Sequence, residues 1–153
     1  MKYLLLILAI FGIVVSSLAL REHYREYGDS PCSINERWDC GVVNHSPYAM
    51  VGGVLDLLGI HARIPILSSL PVATAGILGY ILMAGFALMR WYRLLLVVIL
   101  GGLGFSLYLA HIEKDVLGVW CVYCVISLGI ISLMTLLNLG RVIVQAIRKP
   151  STP

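Results

Sequence analysis

Cys121 and Cys124 form a CxxC that opens the last of four apolar runs of membrane length. The other two cysteines, Cys32 and Cys40, share the only long polar loop. The thiolate is the reactive form of cysteine, and a closely spaced pair can cycle between dithiol and disulfide. A dithiol at the water end of a membrane helix can meet a soluble thiol protein on one side and a lipid-soluble electron carrier on the other. These positions suit disulfide chemistry linked to a membrane.

Three uses of the four cysteines compete. Two structural disulfides would staple an outer loop. A structural zinc would use the CxxC as half of its ligand set, but zinc favours two closely spaced pairs, and Cys32 and Cys40 stand eight apart. The third use is a thiol relay. A bond across CxxC closes so small a loop that it removes little chain entropy, and it serves best as a reversible couple. The spacing favours the relay. At i and i+3 near a helix N-terminus the two sulfurs share a face, where free amides and the helix dipole stabilise a thiolate. Trp120 and Tyr123 read equally as interface anchors and as cofactor contacts. Further along that face come Leu128 and Ser132, an apolar wall for a lipid-soluble ring or for a neighbouring helix.

The elements that must position these residues are helices in lipid. The chain has 153 residues, 59% of them hydrophobic and 12% charged, with a mean hydropathy of +0.92. That is far more apolar than an ordinary soluble domain. The runs Tyr3 to Leu20, Ile64 to Met89, Leu94 to Ala110 and Val116 to Leu139 carry almost no charge. A span needs ~20 apolar residues to cross ~30 Å of hydrocarbon, and the third run reaches this with His111 and Ile112. None shows the polar face of a soluble core helix. The pattern predicts an all-α membrane protein with one domain over 1–140. Its helices cover about 3–20, 64–89, 94–112 and 116–139, with an outer loop at 21–63 and a cytoplasmic tail at 141–153.

Net charge is +3, but it sums two unlike faces and is not a nucleic-acid signal. Lys2, Arg90, Arg93, Arg141, Arg148 and Lys149 flank the runs on one side. All eight acids lie on the other, in the Arg21 to Arg63 loop and the Glu113–Lys114–Asp115 connection, beside five basic residues. Basic residues near helix ends face the cytoplasm, so both termini and the Arg90–Arg93 turn are expected inside. The cysteines then face outward, on the oxidising side where disulfides persist. A cleaved signal peptide is the rival reading of the N-terminus, with Ser16, Ser17 and Ala19 as its small residues. The long apolar run and the Gly12/Ser16 spacing favour a retained packing helix.

The outer loop carries helix-start signals. Ser30–Pro31 and Ser46–Pro47 each pair an N-cap serine with a proline at the first helical position. The first predicts Cys32 in the opening turn of a short helix. The second predicts a helix from Pro47 to Leu58, closed by Gly59 and lying at the interface over the bundle mouth. A long ordered loop of this kind is usually functional. It is expected to carry Cys40 over the last helix as a lid.

Other residues read plainly. Gly102, Ser106 and Ala110, and Gly76, Gly79 and Gly85, suit close helix packing. Glu113, Lys114 and Asp115 read as a solvated turn. His111 reads as an interfacial histidine, with proton relay as the sharper alternative. His23, His45 and His61 show no metal-ligand spacing.

Together these residues resemble the vitamin K epoxide reductase family, its prokaryotic members most closely. The likeness spans nearly the whole chain. It rests on the four helices, Cys32-x7-Cys40, Ser46 six residues later, Leu70-Pro71-Val72-Ala73, and Trp120-Cys121-Val-Tyr-Cys124. The resemblance implies a four-helix bundle around a quinone, roofed by the loop and its short helix. It implies that Cys121 and Cys124 are the active couple, with Cys124 facing the quinone. Cys121 would exchange with Cys40, and Cys32 would meet an outside partner. Ubiquinone, menaquinone or a vitamin K type quinone would be the redox substrate, with no metal. The partner would be a separate thioredoxin-like thiol oxidase, since the chain ends at Pro153 without the fused domain of many prokaryotic relatives. Disulfide formation in secreted proteins would result. The setting would be the cell inner membrane with the site facing the periplasm, or the ER membrane if the source is eukaryotic.

The eukaryotic branch bonds its quinone with an asparagine and a tyrosine, which by position become Ser68 and Leu128 here. Ser68 or Ser69 retains a donor for the quinone and Leu128 does not; Ser46 is better explained as an N-cap than as a catalyst. These departures weaken the alternative of a vitamin K epoxide reductase in the strict sense. A non-enzymatic tetraspan scaffold stapled by Cys32–Cys40 is the competing class, and it predicts dispensable Cys121 and Cys124. A transporter fits less well, because no ionisable residue lies deep in any run.

Overall fold

A computed structural model of the chain describes residues 2–26, 30–57, 59 and 69–148. Helices dominate, and among the described residues extended pairing is limited to three isolated bridges. The elements are α1 (Lys2–His23), α2 (Cys40–Asn44), a 3-10 turn (Pro47–Ala49), α3 (Val51–Leu57), α4 (Val72–Leu88), α5 (Tyr92–Ile112), a π-helical turn (Glu113–Leu117) and α6 (Val122–Arg148).

Among the described residues, three helical stretches are long and apolar enough to cross a membrane: Lys2–His23, Tyr92–Leu117 and Val122–Ile147. The fourth apolar helix, α4, has 17 residues. Pro71 stands at its N-cap in extended conformation (φ −60°, ψ 137°), so the helix begins at Val72 and not at 64; residues 64–68 lie outside the described residues. The last helix also starts later than the apolar run, at Val122, because Val116 and Leu117 belong to the π turn and Gly118 leaves it at φ 69°. It continues past 139 to Arg148, so the helix runs on into the segment expected as the tail.

Helix α1 packs against α4 and α6, and α5 packs against α6 and α4, closing a ring of four helices. Leu5, Tyr80, Met83, Leu95, Ile99 and Met134 fill its interior. The small residues set the spacing. A side chain at Gly12 would run into the Tyr80 ring, one at Gly76 would meet Ser16 Oγ at 3.0 Å, and one at Gly102 would strike Ile131. This is the close approach by which membrane helices gain dispersion contact. Gly79 and Gly85 face open space, so the packing reading holds for Gly76 and not for them. Large apolar residues project outward from each of the four bundle helices, among them Phe11, Leu78, Val97 and Leu136. Such a belt suits lipid, where backbone groups are satisfied within each helix.

The outer loop differs from its expected form in two places. Pro31 and Cys32 lie in a turn with no helix following. The stretch from Pro47 breaks at Met50, which is extended (φ −103°, ψ 142°) and bridges to Pro71, with the Val51 amide donating to the Leu70 carbonyl at 2.9 Å. That pairing ties the loop to the start of α4 and splits the single expected helix into a 3-10 turn and α3. Leu58 lies outside the described residues; Gly59 has φ 72°, the left-handed geometry that favours glycine after a helix.

Candidate functional site

The outer loop is clasped to the start of α6 by backbone bonds. The Trp120 amide donates to the Arg37 carbonyl at 2.8 Å, and the Asp39 amide donates to the Trp120 carbonyl at 3.1 Å. Trp38 bridges to Trp120, their rings 6.5 Å apart. Asn35 prepares this clasp by accepting the amides of Arg37 and Trp38. Asp39 then caps α2, accepting from the Val42 amide at 3.2 Å and from the Ser33 hydroxyl at 2.6 Å. The Ser33 bond is the main reason its carboxyl titrates below the usual carboxylate range. Cys40, next in sequence, is thereby carried against Cys121 as α2 begins.

Cys32, Cys40, Val43 and Cys121 form one buried cluster, with Cys124 packed against it. Cys32 and Cys40 are joined in a disulfide, their Cα atoms 5.7 Å apart, while Cys121 and Cys124 are free thiols. Cys40 and Cys121 are fully buried; Cys32 is 7% exposed. Asn44 spans the two halves. Its side-chain amide donates to the Cys40 carbonyl at 2.8 Å and lies 3.7 Å from Cys121 Sγ. Nothing in the sequence pattern singles out Asn44, since asparagine in a polar loop is ordinary.

Cys121 stands just ahead of α6, its carbonyl accepting from the Val125 amide at 3.1 Å. The Cys124 thiol beside it is the main influence holding the Cys121 thiol below its ordinary range. The open amides of Cys124 and Tyr123 add to this, against burial and the Glu113 charge. A thiolate at a helix N-terminus is the expected nucleophile.

The π turn brings a further group to the pair. Its wider winding turns Glu113 inward, 3% exposed, while Lys114, Asp115 and Val116 face out. π turns inside helices recur at functional sites. Gly118 and Val119 donate back to the Glu113 carbonyl, and the returning chain points the Cys121 amide at Glu113 Oε2, 3.0 Å away. Glu113 and Cys124 also line the same cavity. Glu113 is therefore part of the site and not of a solvated turn. Charge clustering hid it, because the π turn breaks the periodicity by which an inward residue is recognised.

Behind Cys124 lies a cavity of about 110 Å³. Ala19, Val72, Phe105 and Leu109 supply apolar wall; Cys124, Ser127 and Glu113 supply polar groups. Apolar lining with a few convergent polar groups is the usual form of a small-molecule site. Ser46 also lines it, but its hydroxyl donates to the Val43 carbonyl at 2.8 Å and makes no cap bond to the turn after it. Leu128 packs into the bundle interior, and Ser127, its neighbour, borders the cavity. Ser69 is exposed, and Ser68 lies outside the described residues.

The described histidines are engaged by backbone carbonyls or by Asp115. His111 is exposed and contacts Asp115 at 2.6 Å. His23 donates to the Asn44 carbonyl at 2.6 Å. The two ring nitrogens of His45 contact the carbonyls of Gly41 and Arg25, each at 2.8 Å, so these two histidines pin α2 to the end of α1. His61 lies outside the described residues. No cluster fit to hold a metal occurs among the described residues.

The sequence pattern described as the vitamin K epoxide reductase family matches residues 3–139. Comparison with curated proteins returned no significant match.

Proposed function

The chain belongs to the vitamin K epoxide reductase family, and from that premise we propose that it is a quinone-coupled thiol–disulfide oxidoreductase. The family's members are oxidoreductases, and the chain has the apolar helices of a membrane protein. In this reading an external thioredoxin-like protein reduces Cys32–Cys40. That dithiol reduces Cys121–Cys124, and the inner pair reduces a membrane quinone such as menaquinone or ubiquinone. Each thiol step is attack of a thiolate on a disulfide, directed by relative reduction potential. The net effect is disulfide formation in proteins outside the cytoplasm.

One observation carries the reading: four cysteines meet in a single cluster, and Cys124 among them lines a largely apolar cavity. A stapled scaffold has no need of two free thiols there. Cys32, the less buried member of the outer pair, suits contact with a protein partner. The fourth span would be α4, roughly 25 Å long at ~1.5 Å per residue, short of the average hydrocarbon core but within what local thinning accommodates. Both termini would then face the cytoplasm.

The test is turnover of purified protein with a dithiol donor and a water-dispersible menaquinone or ubiquinone analogue. Turnover is expected in the intact chain and absent from Cys121→Ala and Cys124→Ala. Undiminished quinone reduction in either variant would sink the reading.

A further inference from the structure

We propose that Glu113 is the proton carrier between the Cys121/Cys124 couple and the quinone, an inference that rests on the function proposed above. Three observations meet at this side chain. It is buried although it is an acid, 3% exposed. Its carboxyl accepts the Cys121 amide at 3.0 Å. It also borders the cavity beside Cys124. An acid cut off from water is costly to keep without a use, and this one touches both the reacting cysteine and the space where an acceptor would lie.

Quinone reduction needs such a group. Two electrons leave the sulfurs, but the hydroquinone also requires two protons, and Cys121 is fully buried. In the proposed step the reduced site holds a Cys121 thiolate, a Cys124 thiol and a protonated Glu113. The Cys121–Cys124 bond forms and its two electrons pass to the quinone. One proton comes from Cys124 and one from Glu113, and both end on the quinone oxygens. Glu113 is left as a carboxylate beside the new disulfide. When the Cys32/Cys40 dithiol reduces that disulfide, its two protons go to Cys124 and Glu113 as the outer bond closes. The pairing in the structure, with the outer disulfide closed and the inner thiols free, corresponds to the end of that transfer.

The other titratable groups nearby serve differently. His23 borders the cavity but is engaged by the Asn44 carbonyl, Tyr123 borders it as well, and His111 and Asp115 face solvent together.

The experiment compares Glu113→Gln and Glu113→Asp with the intact chain in two assays. The first is steady-state quinone reduction; the second is a single-turnover measurement of exchange between the outer and inner cysteine pairs. Glutamine keeps an acceptor for the Cys121 amide but carries no exchangeable acid. E113Q is expected to lose about a hundredfold in kcat, the scale of a general acid's contribution, with KM for the quinone little changed and exchange slowed far less. E113D is expected to recover part of the loss. Quinone turnover in E113Q within about twofold of the intact chain would overturn the proposal. So would an equal loss of exchange and turnover, which would make Glu113 a structural support. Absence of turnover in the intact chain would instead remove the proposed function, and this proposal with it.

Discussion

Asn44 and Asp39 decide whether the outer and inner cysteines face one another. The Asn44 amide is the polar link from α2 to the Cys121 sulfur, and Leu at this position would fill similar volume without donating. Losing a buried hydrogen bond costs about 1 kcal/mol, so Asn44→Leu should slow disulfide exchange between the pairs several-fold, read by quenched thiol trapping. Asp39 acts one step earlier. Asp39→Ala removes an N-cap, which costs about 1 kcal/mol, and should raise amide hydrogen exchange over residues 40–44. Since its carboxyl titrates below the ordinary range in the folded protein, its stabilising effect is complete above that range. It is lost as pH falls through the lowered value. The difference between Asp39→Ala and the intact chain should therefore shrink on acidification, and a difference that grew would contradict the capping role. At this scale the sequence was unevenly legible. Cysteine has few uses at such spacing, so all four were visible. Glu113 and Asn44 were not, because their importance comes from contacts made across the fold.

At the scale of elements, the apolar runs located the helices because lipid forces the backbone to bond within each span. The ends were less visible. Pro71, Met50 and Gly118 set them through backbone geometry and bridge pairing, and hydropathy does not register either. The Ser30–Pro31 signal yielded to a turn for a related reason: the disulfide and the clasp to Trp120 organise that stretch more strongly than local preference does. Glycine packing offers a matched pair of tests. Gly12→Ala drives a methyl group into Tyr80, whereas Gly79→Ala places one in open space. Overpacking of this kind typically costs 1–3 kcal/mol, roughly. Gly12→Ala should lower the unfolding temperature in detergent, and Gly79→Ala should not. Equal effects would mean that α1 and α4 do not pack through Gly12.

For the whole molecule, the claim is a path for electrons from an outer loop, through buried sulfurs, to a cavity bordered by α1, α4, α5 and α6. Clasp, cap and π turn converge on the same few atoms, which is how a loop and a helix start remote in sequence form one site. The most direct measurement reduces all four cysteines and adds one equivalent of menaquinone analogue without oxygen. Disulfides are then mapped by mass spectrometry at successive acid-quench times. The account predicts a Cys121–Cys124 bond first and a Cys32–Cys40 bond later, with neither formed in Cys124→Ala. Formation of Cys32–Cys40 ahead of Cys121–Cys124, or its undiminished formation in Cys124→Ala, would contradict it.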